Sequence, residues 1–189
     1  MIRHPLGSRS RRLNLDAFSR ADRLAASLGR TLDDGFHWFR RPAPGGIEPI
    51  EAVVVGPGGT WTVTFATERG RFRHRNGHWY RWNGSTESWV PWDAQVVNVA
   101  RLAARRLSIY LERATQPATV EAILVPERES GVTWDPGDRL GMLVESDPDR
   151  LAARLARDDV LTPAQVDRIV ALLDPRQPLP QLATDSRLG

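Results

Sequence analysis

The chain has 189 residues, of which 41% are hydrophobic and 26% charged, and it carries a formal net charge of +3. This size and composition predict a single globular domain with a buried core, and the lack of a long apolar run predicts no membrane-spanning helix and no membrane partner. The sequence contains no cysteine, which excludes disulfides, thiolate metal sites and cysteine nucleophiles and favours a cytoplasmic location.

The basic residues are chemically uniform, because all 26 of them are arginine. Mechanisms that need a lysine ammonium, such as Schiff-base or P-loop chemistry, are therefore excluded. The net charge is modest, so any affinity for nucleic acid has to come from a local patch of positive charge.

Basic and proline-rich segments flank the part of the chain that is patterned for folding. Residues 1–13 are predicted to form a flexible basic arm, and residues 14–173 are predicted to form a single domain. The proline-rich residues 174–189 are predicted to form a flexible tail. The domain is expected to open with a helix over about residues 14–30, where apolar residues recur at helical spacing. A candidate strand follows at residues 36–39.

The most informative stretch runs from Ile50 to Gly70, IEAVVVGPGGTWTVTFATERG, and predicts two strands joined by a glycine-rich turn. The β-branched run Val53–Val55 predicts a strand that is buried on both faces. Glycine and proline in Gly56–Gly59 predict the turn. The second strand alternates, with one set of side chains facing each way: Trp61, Val63 and Phe65 on one face, and Thr62, Thr64, Ala66 and Glu68 on the other.

A hairpin is predicted in RGRFRHRNGHWYRW, residues 69–82. Asn76-Gly77 favours a two-residue type I′ turn. With that turn Arg75 opposes His78 and Arg73 opposes Tyr80, and directly opposed residues share a face. One face is then expected to carry Arg71, Arg73, Arg75, His78, Tyr80 and Trp82, and the other Phe72, His74, Trp79 and Arg81.

The remaining elements complete an α/β layout. The longest helix is predicted from about Asp93 to Arg113, with an inward stripe of Val96, Val99, Ala100, Ala103, Leu107, Tyr110 and Leu111. Strands are predicted at residues 120–125 and 140–144. A short helix follows, and the capping-box sequence at residues 162–165 predicts a last helix that ends near Leu173. This order predicts a mixed central sheet flanked by helices.

The strand pair and later segments resemble a known family, the nuclease-related domain (NERD). In that family an acid-headed, valine-rich strand turns through Gly-Pro-x-Gly into a second strand, as IEAVVVGPGGTWTV does here. Residues 89–95 are similar to the family's entry to its long helix, which carries a glutamine. The resemblance spans about residues 20–173 and implies a restriction-endonuclease-like fold and a role in DNA processing.

The same resemblance implies a position for a nuclease centre. In the implied fold, an acid at the end of one strand and an acid and a lysine on the next hold Mg²⁺ and steady the attacking water. Matched to this chain, Glu51 stands for the first acid and Thr64 for the second. Ala66 stands for the lysine, and Gln95 matches the family's glutamine.

These matches predict a degenerate centre. The neutral side chains of Thr64 and Ala66 cannot replace a carboxylate and an ammonium group. The helix-borne acid of the fold falls at Ala21, with Asp22 one step off the inward face. Glu51 is then a residual acid, and no cofactor is expected.

In an alternative interpretation, the protein retains nuclease activity. Glu51 and Glu68 would then hold Mg²⁺, and Arg69 or Arg71 would supply the positive charge. This gives an Mg²⁺-dependent DNA nuclease with a rearranged site.

Three functions therefore stay open: a non-catalytic module that binds nucleic acid or a protein partner, the rearranged nuclease, and a structural or regulatory partner of another nuclease. The first is favoured, and the arginine-rich hairpin is its candidate contact surface. Arginine binds phosphate, while Tyr80 and Trp82 offer stacking surfaces for bases. The alternative for the same hairpin is intramolecular stacking of Arg71 and Arg73 on those two rings.

Overall fold

The computed structural model describes residues 20–116, 118–157 and 159–174. Its first helix, α1, covers residues 20–28 of the described chain. The elements that follow are β1 (His37–Arg40), β2 (Ala52–Gly56), β3 (Gly59–Phe65), β4 (Arg71–Arg75), β5 (His78–Asn83), β6 (Ser88–Pro91), α2 (Gln95–Arg113), β7 (Val120–Val125), β8 (Gly131–Trp134), β9 (Leu143–Val144), α3 (Pro148–Leu155) and α4 (Pro163–Leu173). The predicted α/β class is confirmed.

The central sheet has five strands in the order β1-β2-β3-β7-β9. Strands β1, β2 and β3 pair antiparallel, whereas β7 and β9 extend the sheet by parallel pairing. The predicted strand pair is confirmed, because Val54 pairs with Trp61 and Gly56 with Gly59 across the turn. Gly59 has a φ of 141°, so this turn depends on glycine. The run Val53–Val55 is buried, as expected of a strand covered on both faces.

Helices cover both faces of the central sheet, which confirms the predicted layering. On one face, α1 and α3 pack on the sheet in a core that contains Leu24, Leu28, Val54, Trp61, Val63, Phe65, Leu151 and Leu155. On the other face, α2 and α4 form a core that contains Val53, Val55, Leu107, Leu111, Val166 and Ile169.

The predicted hairpin belongs to a second sheet, of four strands in the order β6-β5-β4-β8. Its register is the predicted one, because Arg75 opposes His78 and Arg73 opposes Tyr80. Asn76-Gly77 forms the turn with positive φ at both residues, 51° and 80°, as type I′ geometry requires. Strand β6 pairs antiparallel with β5, and β8 pairs parallel with β4. The sequence pattern predicts neither β6 nor β8.

The buried side of α2 differs from the predicted one. Val99, expected to face inward, is 56% exposed, whereas Val97 is buried. The buried residues of the helix are Val97, Ala100, Ala104, Leu107 and Leu111, at alternating spacings of three and four. Ala100 and Ala104 pack on Ala122 of β7. These small side chains, rather than the larger Val99, fill the narrow space over the sheet.

Other differences are local. The strand predicted over residues 140–144 is only Leu143–Val144, because Gly141 takes a left-handed φ of 63°. The predicted basic arm and the predicted tail beyond Asp174 lie outside the described residues. Among the helices of the described chain, none is long and apolar enough to cross a membrane.

Candidate functional site

The first acid matched to a nuclease centre lies at the edge of the central sheet where β3 and β7 end. These two strands are parallel, and their last pair is Phe65 and Val125, so their carboxyl ends lie side by side. Glu51 immediately precedes β2, which runs antiparallel to β3, and this brings Glu51 to the same edge. Its Oε2 accepts a hydrogen bond from the backbone N–H of Phe65 at 2.7 Å. Glu51 therefore lies at the edge of the sheet where β3 and β7 end.

Thr64 and Ala66, matched to the second acid and the lysine, are both buried. Thr64 is 4% exposed and Ala66 is 8% exposed. Ala66 packs in an apolar cluster with Ala94, Val97 and Leu124, where α2 begins. Thr64 shares that side of the sheet by the alternation of β3. Both positions thus lie on the side of the sheet that α2 covers, and the small pocket that Ala66 lines with Trp79 and Trp92 is almost wholly apolar.

The guanidinium group of Arg20, at the start of α1, closes this strand edge. Its Nη1 donates to the carbonyl oxygen of Ala66 at 2.6 Å and to Oε1 of Glu127 at 2.9 Å. Its Nη2 donates to the carbonyl oxygens of Val125 at 3.2 Å and Pro126 at 3.0 Å. The side chain of Arg20 is 14% exposed. Arg20 therefore ties the ends of β3 and β7 to each other and to α1.

The charged groups at this edge compensate one another. Burial lowers the pKa of Arg20, and the carboxylates of Glu127 and Glu51 oppose that shift; the group stays charged, because arginine does not deprotonate in proteins. Glu51 is exposed as a residue, yet burial of its carboxyl group raises the pKa of Glu51. The N–H of Phe65 and the charge of Arg20 oppose that increase. The positive charge of Arg20 thus lies beside the carboxyl group of Glu51, the residual acid.

The carboxylate oxygen atoms at this edge are not arranged as ligands for Mg²⁺. This ion requires near-octahedral coordination by oxygen atoms that are free to bind it. Glu127 is paired with Arg20, and Glu51 accepts a backbone N–H. Glu68, the second ligand in the rearranged-nuclease reading, accepts a hydrogen bond from Nε1 of Trp92 at 3.1 Å. Within residues 20–116, 118–157 and 159–174, no three histidine, aspartate or glutamate side chains group together as a metal site.

The other matched positions are engaged elsewhere. Gln95 is exposed at the first residue of α2, and its Nε2 donates to Oδ2 of Asp93 at 3.3 Å. Ala21 lies on the inward side of α1 and is buried in the core. Asp22 pairs with Arg40 on the surface at 3.1 Å.

The sequence itself indicates that Arg20 faces inward, although the family pattern does not single out this residue. Arg20 precedes Leu24 and Leu28 by four and eight residues, so it shares the inward stripe of α1. The family pattern instead places its helix-borne acid at the next residue, Ala21. The partner carboxylate, that of Glu127, lies 107 residues away in sequence and has no local signal.

The hairpin forms part of a second candidate site, which we call the outer sheet face. It consists of Arg71, Arg73 and Arg75 on β4, His78, Tyr80 and Trp82 on β5, and Trp89 and Pro91 on β6. Trp89 opposes Trp82 and Pro91 opposes Tyr80, so β6 adds two residues to the predicted set. The rings of Tyr80, Trp82 and Trp89 are partly exposed, and Arg71, Arg75 and His78 are exposed.

Arg71 lies against two tryptophan rings on this face. Its guanidinium carbon is 5.2 Å from the ring centre of Trp82 and 5.8 Å from that of Trp89. The two rings are 5.4 Å apart and meet edge to face, at 67°. The predicted stacking of Arg71 on Trp82 is thus confirmed, whereas Arg73 pairs with Asp135 and not, as predicted, with the ring of Tyr80. The stacking orders the guanidinium of Arg71 and leaves both tryptophan rings partly exposed.

Arg73 and Arg75 share one carboxylate. Arg73 pairs with Oδ1 of Asp135 at 2.6 Å, and Nε of Arg75 lies 3.3 Å from Oδ2 of the same residue. Asp135 directly follows β8, the parallel neighbour of β4. The carboxylate of Asp135 therefore holds Arg73 and Arg75 in place and offsets one of their two positive charges.

The opposite face of the second sheet packs on the body of the domain, as the alternation predicts. Phe72 is buried and its ring centre lies 4.5 Å from that of Trp92. His74 is buried, its Nδ1 lies 2.9 Å from Oδ2 of Asp138, and its ring meets Trp79 edge to face. This face therefore packs against other parts of the domain, whereas the outer sheet face carries the exposed side chains of Arg71, Arg75 and His78.

Comparison with protein families, with curated proteins and with solved structures finds no match to this chain. The resemblance to the nuclease-related domain therefore stays a prediction, which rests on the residues quoted for it.

Proposed function

We propose that this protein is a nucleic-acid-binding module, built on a nuclease-like fold, that has no metal-dependent cleavage centre. The observation that carries the binding role is the outer sheet face. There, Arg71 lies across Trp82 and Trp89 beside two further arginines, on a surface open to solvent. Arginine suits phosphate because its planar fork of donors matches the phosphate oxygens, and exposed aromatic rings suit bases.

The non-catalytic part of the proposal is supported by the position of Arg20. Its guanidinium is bonded to the backbone at Ala66, where the resemblance calls for a lysine side chain, and to the carboxylate of Glu127. A metal ion bound there would have to displace a charged group that holds two strand ends together. Such a displacement is costly, because it leaves buried charges and carbonyl groups without partners.

A titration of a fluorescently labelled DNA oligonucleotide tests the binding role. We expect affinity at low salt that falls as salt rises, because phosphate contacts release counterions. The double variant Arg71→Ala, Arg73→Ala should weaken binding and flatten the salt dependence. Arg105→Ala, Arg168→Ala is the matched control, because it removes two exposed arginines from α2 and α4. The proposal is lost if the wild type has no affinity at low salt, or if both double variants weaken binding equally.

A second candidate function, binding of a protein partner, is favoured by the outward side of α2. Val99, Leu102 and Ile109 are 56%, 45% and 38% exposed, and their spacing places them on one side of the helix. Apolar patches of this kind mark interaction surfaces. This reading includes the structural or regulatory role beside an intact nuclease.

The simplest partner, a second copy of the chain, is tested by sedimentation over a range of concentrations. If α2 forms the contact, the wild type should self-associate and the variant Val99→Ser, Leu102→Ser should not, with DNA affinity unchanged. A wild type that stays monomeric at all concentrations, or a variant that still associates, removes self-association through this patch.

A further inference from the structure

The outer sheet face carries little positive charge for a surface that binds DNA. Its three arginines lie beside one acid, Asp135, which pairs with both Arg73 and Arg75. Arg71 is the arginine of the three that lies on the aromatic rings rather than against that acid. A protein that makes about six to ten phosphate contacts to duplex DNA draws a large part of its affinity from the release of counterions. This face cannot reach that number, so contacts to the bases have to supply part of the affinity.

The aromatic rings of this face are arranged for such contacts. Tyr80 and Trp82 stand two residues apart on β5, about 6.6 Å along the strand, and Trp89 lies opposite Trp82 on β6. All three rings are partly exposed on the same side of one sheet. A cluster of this size offers stacking surfaces for two or three bases.

A base can stack on these rings only if it is unpaired. In a duplex the flat surfaces of the bases are covered by their neighbours, and only their edges are open in the grooves. The groove edges are read by a helix or a narrow two-stranded ribbon, whereas this surface is a sheet of four strands. In a single strand the bases are free to turn outward and lie on an aromatic ring.

We infer that the outer sheet face binds single-stranded DNA, with bases stacked on Tyr80, Trp82 and Trp89 and phosphates held by Arg71 and Arg75. This inference rests on the proposed function and narrows its ligand from nucleic acid to unpaired strands. Recognition of RNA over DNA needs a hydrogen-bonding partner for the 2′-hydroxyl group. Within the described residues of this face, the side chains that could contact a 2′-hydroxyl group include the ring of His78 and the hydroxyl group of Tyr80, and an RNA probe tests whether they do.

Four probes of equal length separate the sources of affinity: an oligothymidine strand, its duplex with oligodeoxyadenosine, an abasic sugar–phosphate strand, and an oligouridine RNA. We expect the oligothymidine to bind at least about tenfold more tightly than the duplex or the abasic strand, with quenching of tryptophan fluorescence. The slope of log affinity against log salt should be no steeper than about −2, since three arginines at about −0.7 each set its limit.

The same titration separates failure of this inference from failure of the proposed function. Duplex or abasic strand that binds as tightly as oligothymidine would overturn base stacking and leave the proposed function standing. RNA that binds ten times more tightly than DNA would overturn the choice of DNA. No binding of any probe at low salt would overturn both.

Substitution of the rings locates the contact. Trp82→Ala, Trp89→Ala should weaken oligothymidine binding at least about fivefold for each base that loses its stacking partner. Trp134→Ala is the matched control, because Trp134 is 45% exposed and pairs with His74, on the opposite face of the same sheet. If the double variant fails to fold, Trp89→Ala on the edge strand β6 carries the test alone. Equal affinity of the wild type and the folded ring variant would refute the assignment.

Discussion

The guanidinium of Arg20 donates a hydrogen bond to the carbonyl oxygen of Ala66 at 2.6 Å, although 46 residues separate the two in sequence. Ala66 is the position at which the resemblance to the nuclease-related domain implies a catalytic lysine. The chain contains no lysine, and here a helix supplies a positive charge that binds the backbone of that position. The same guanidinium binds Glu127, so its charge serves the fold.

Removal of the Arg20 guanidinium should destabilise the domain strongly. Arg20→Met keeps much of the side-chain volume but leaves the Glu127 carboxylate without its partner. It also removes the guanidinium donor from three carbonyl groups, of which that of Val125 still accepts a hydrogen bond from the N–H of Ala66. We expect a loss of about 3 kcal/mol in the free energy of unfolding, measured with urea. Arg105→Met, at an exposed position of α2, should change it by no more than about 0.5 kcal/mol. A loss below about 1 kcal/mol for Arg20→Met would show that the contact is not structural.

Glu51 should make stability depend on pH in a direction opposite to that of a typical surface carboxylate. Burial raises the pKa of Glu51 above its ordinary value of 4.5, so the folded protein binds this proton more tightly than the unfolded chain does. The favourable contribution is therefore fully present below pH 4.5 and is lost as the pH rises through the raised value.

The matched variant for this effect is Glu51→Gln, which keeps an oxygen for the Phe65 N–H. We expect the free energy of unfolding of the wild type, minus that of Glu51→Gln, to fall as the pH rises from below 4.5. Urea titrations of both proteins over a pH series measure this difference. A difference that is constant, or that increases with pH, would show that the carboxyl group is not penalised by burial.

Restoring the lysine of the family should damage the fold rather than create a nuclease centre. Ala66 is 8% exposed and packs against Ala94, Val97 and Leu124, so Ala66→Lys places an unpaired charge in an apolar cluster. We expect the midpoint of thermal unfolding to fall by about 6 °C or more, corresponding to about 3 kcal/mol. The adjacent Thr67 is exposed, and Thr67→Lys should shift the midpoint little. Equal midpoints for the two variants would contradict the burial of this position.

Neutralising Asp135 should strengthen the binding of single-stranded DNA. Asp135 competes with phosphate for Arg73 and Arg75, so Asp135→Asn should release one positive charge. We expect severalfold tighter binding of oligothymidine and a salt slope steeper by about 0.7. Asp138→Asn alters the same loop at its contact with His74, on the other face of the sheet, and should leave binding unchanged. Equal effects of the two variants would indicate a change in the loop and not in the charge.

The elements that the sequence predicts well are those with local causes. A continuous run of β-branched residues identifies β2, and alternation after a glycine-rich turn identifies β3. Asn76-Gly77 sets the register of the hairpin. The capping box between Thr162 and Gln165 is present at the start of α4. In each case residues a few positions apart determine the backbone conformation.

Two features that escape prediction, strand β8 and the inward side of α2, depend on contacts between distant parts of the chain. Strand β8 has four residues and is held by parallel pairing to β4, about sixty positions earlier. The inward side of α2 is selected by the small side chain of Ala122 beneath it. The candidate site follows the same rule: family matching locates Glu51, whereas the role of Arg20 depends on a carboxylate 107 residues away.

We propose that the domain binds DNA without cutting it. The direct measurement incubates labelled single-stranded and duplex DNA with excess protein, in Mg²⁺ and separately in Mn²⁺, with Glu51→Ala as the control. We expect that single-stranded DNA is bound and recovered intact in the presence of either metal, as it is with Glu51→Ala. Metal-dependent cleavage by the wild type that Glu51→Ala abolishes would contradict it and would restore the nuclease reading with Glu51 and Glu68 as ligands.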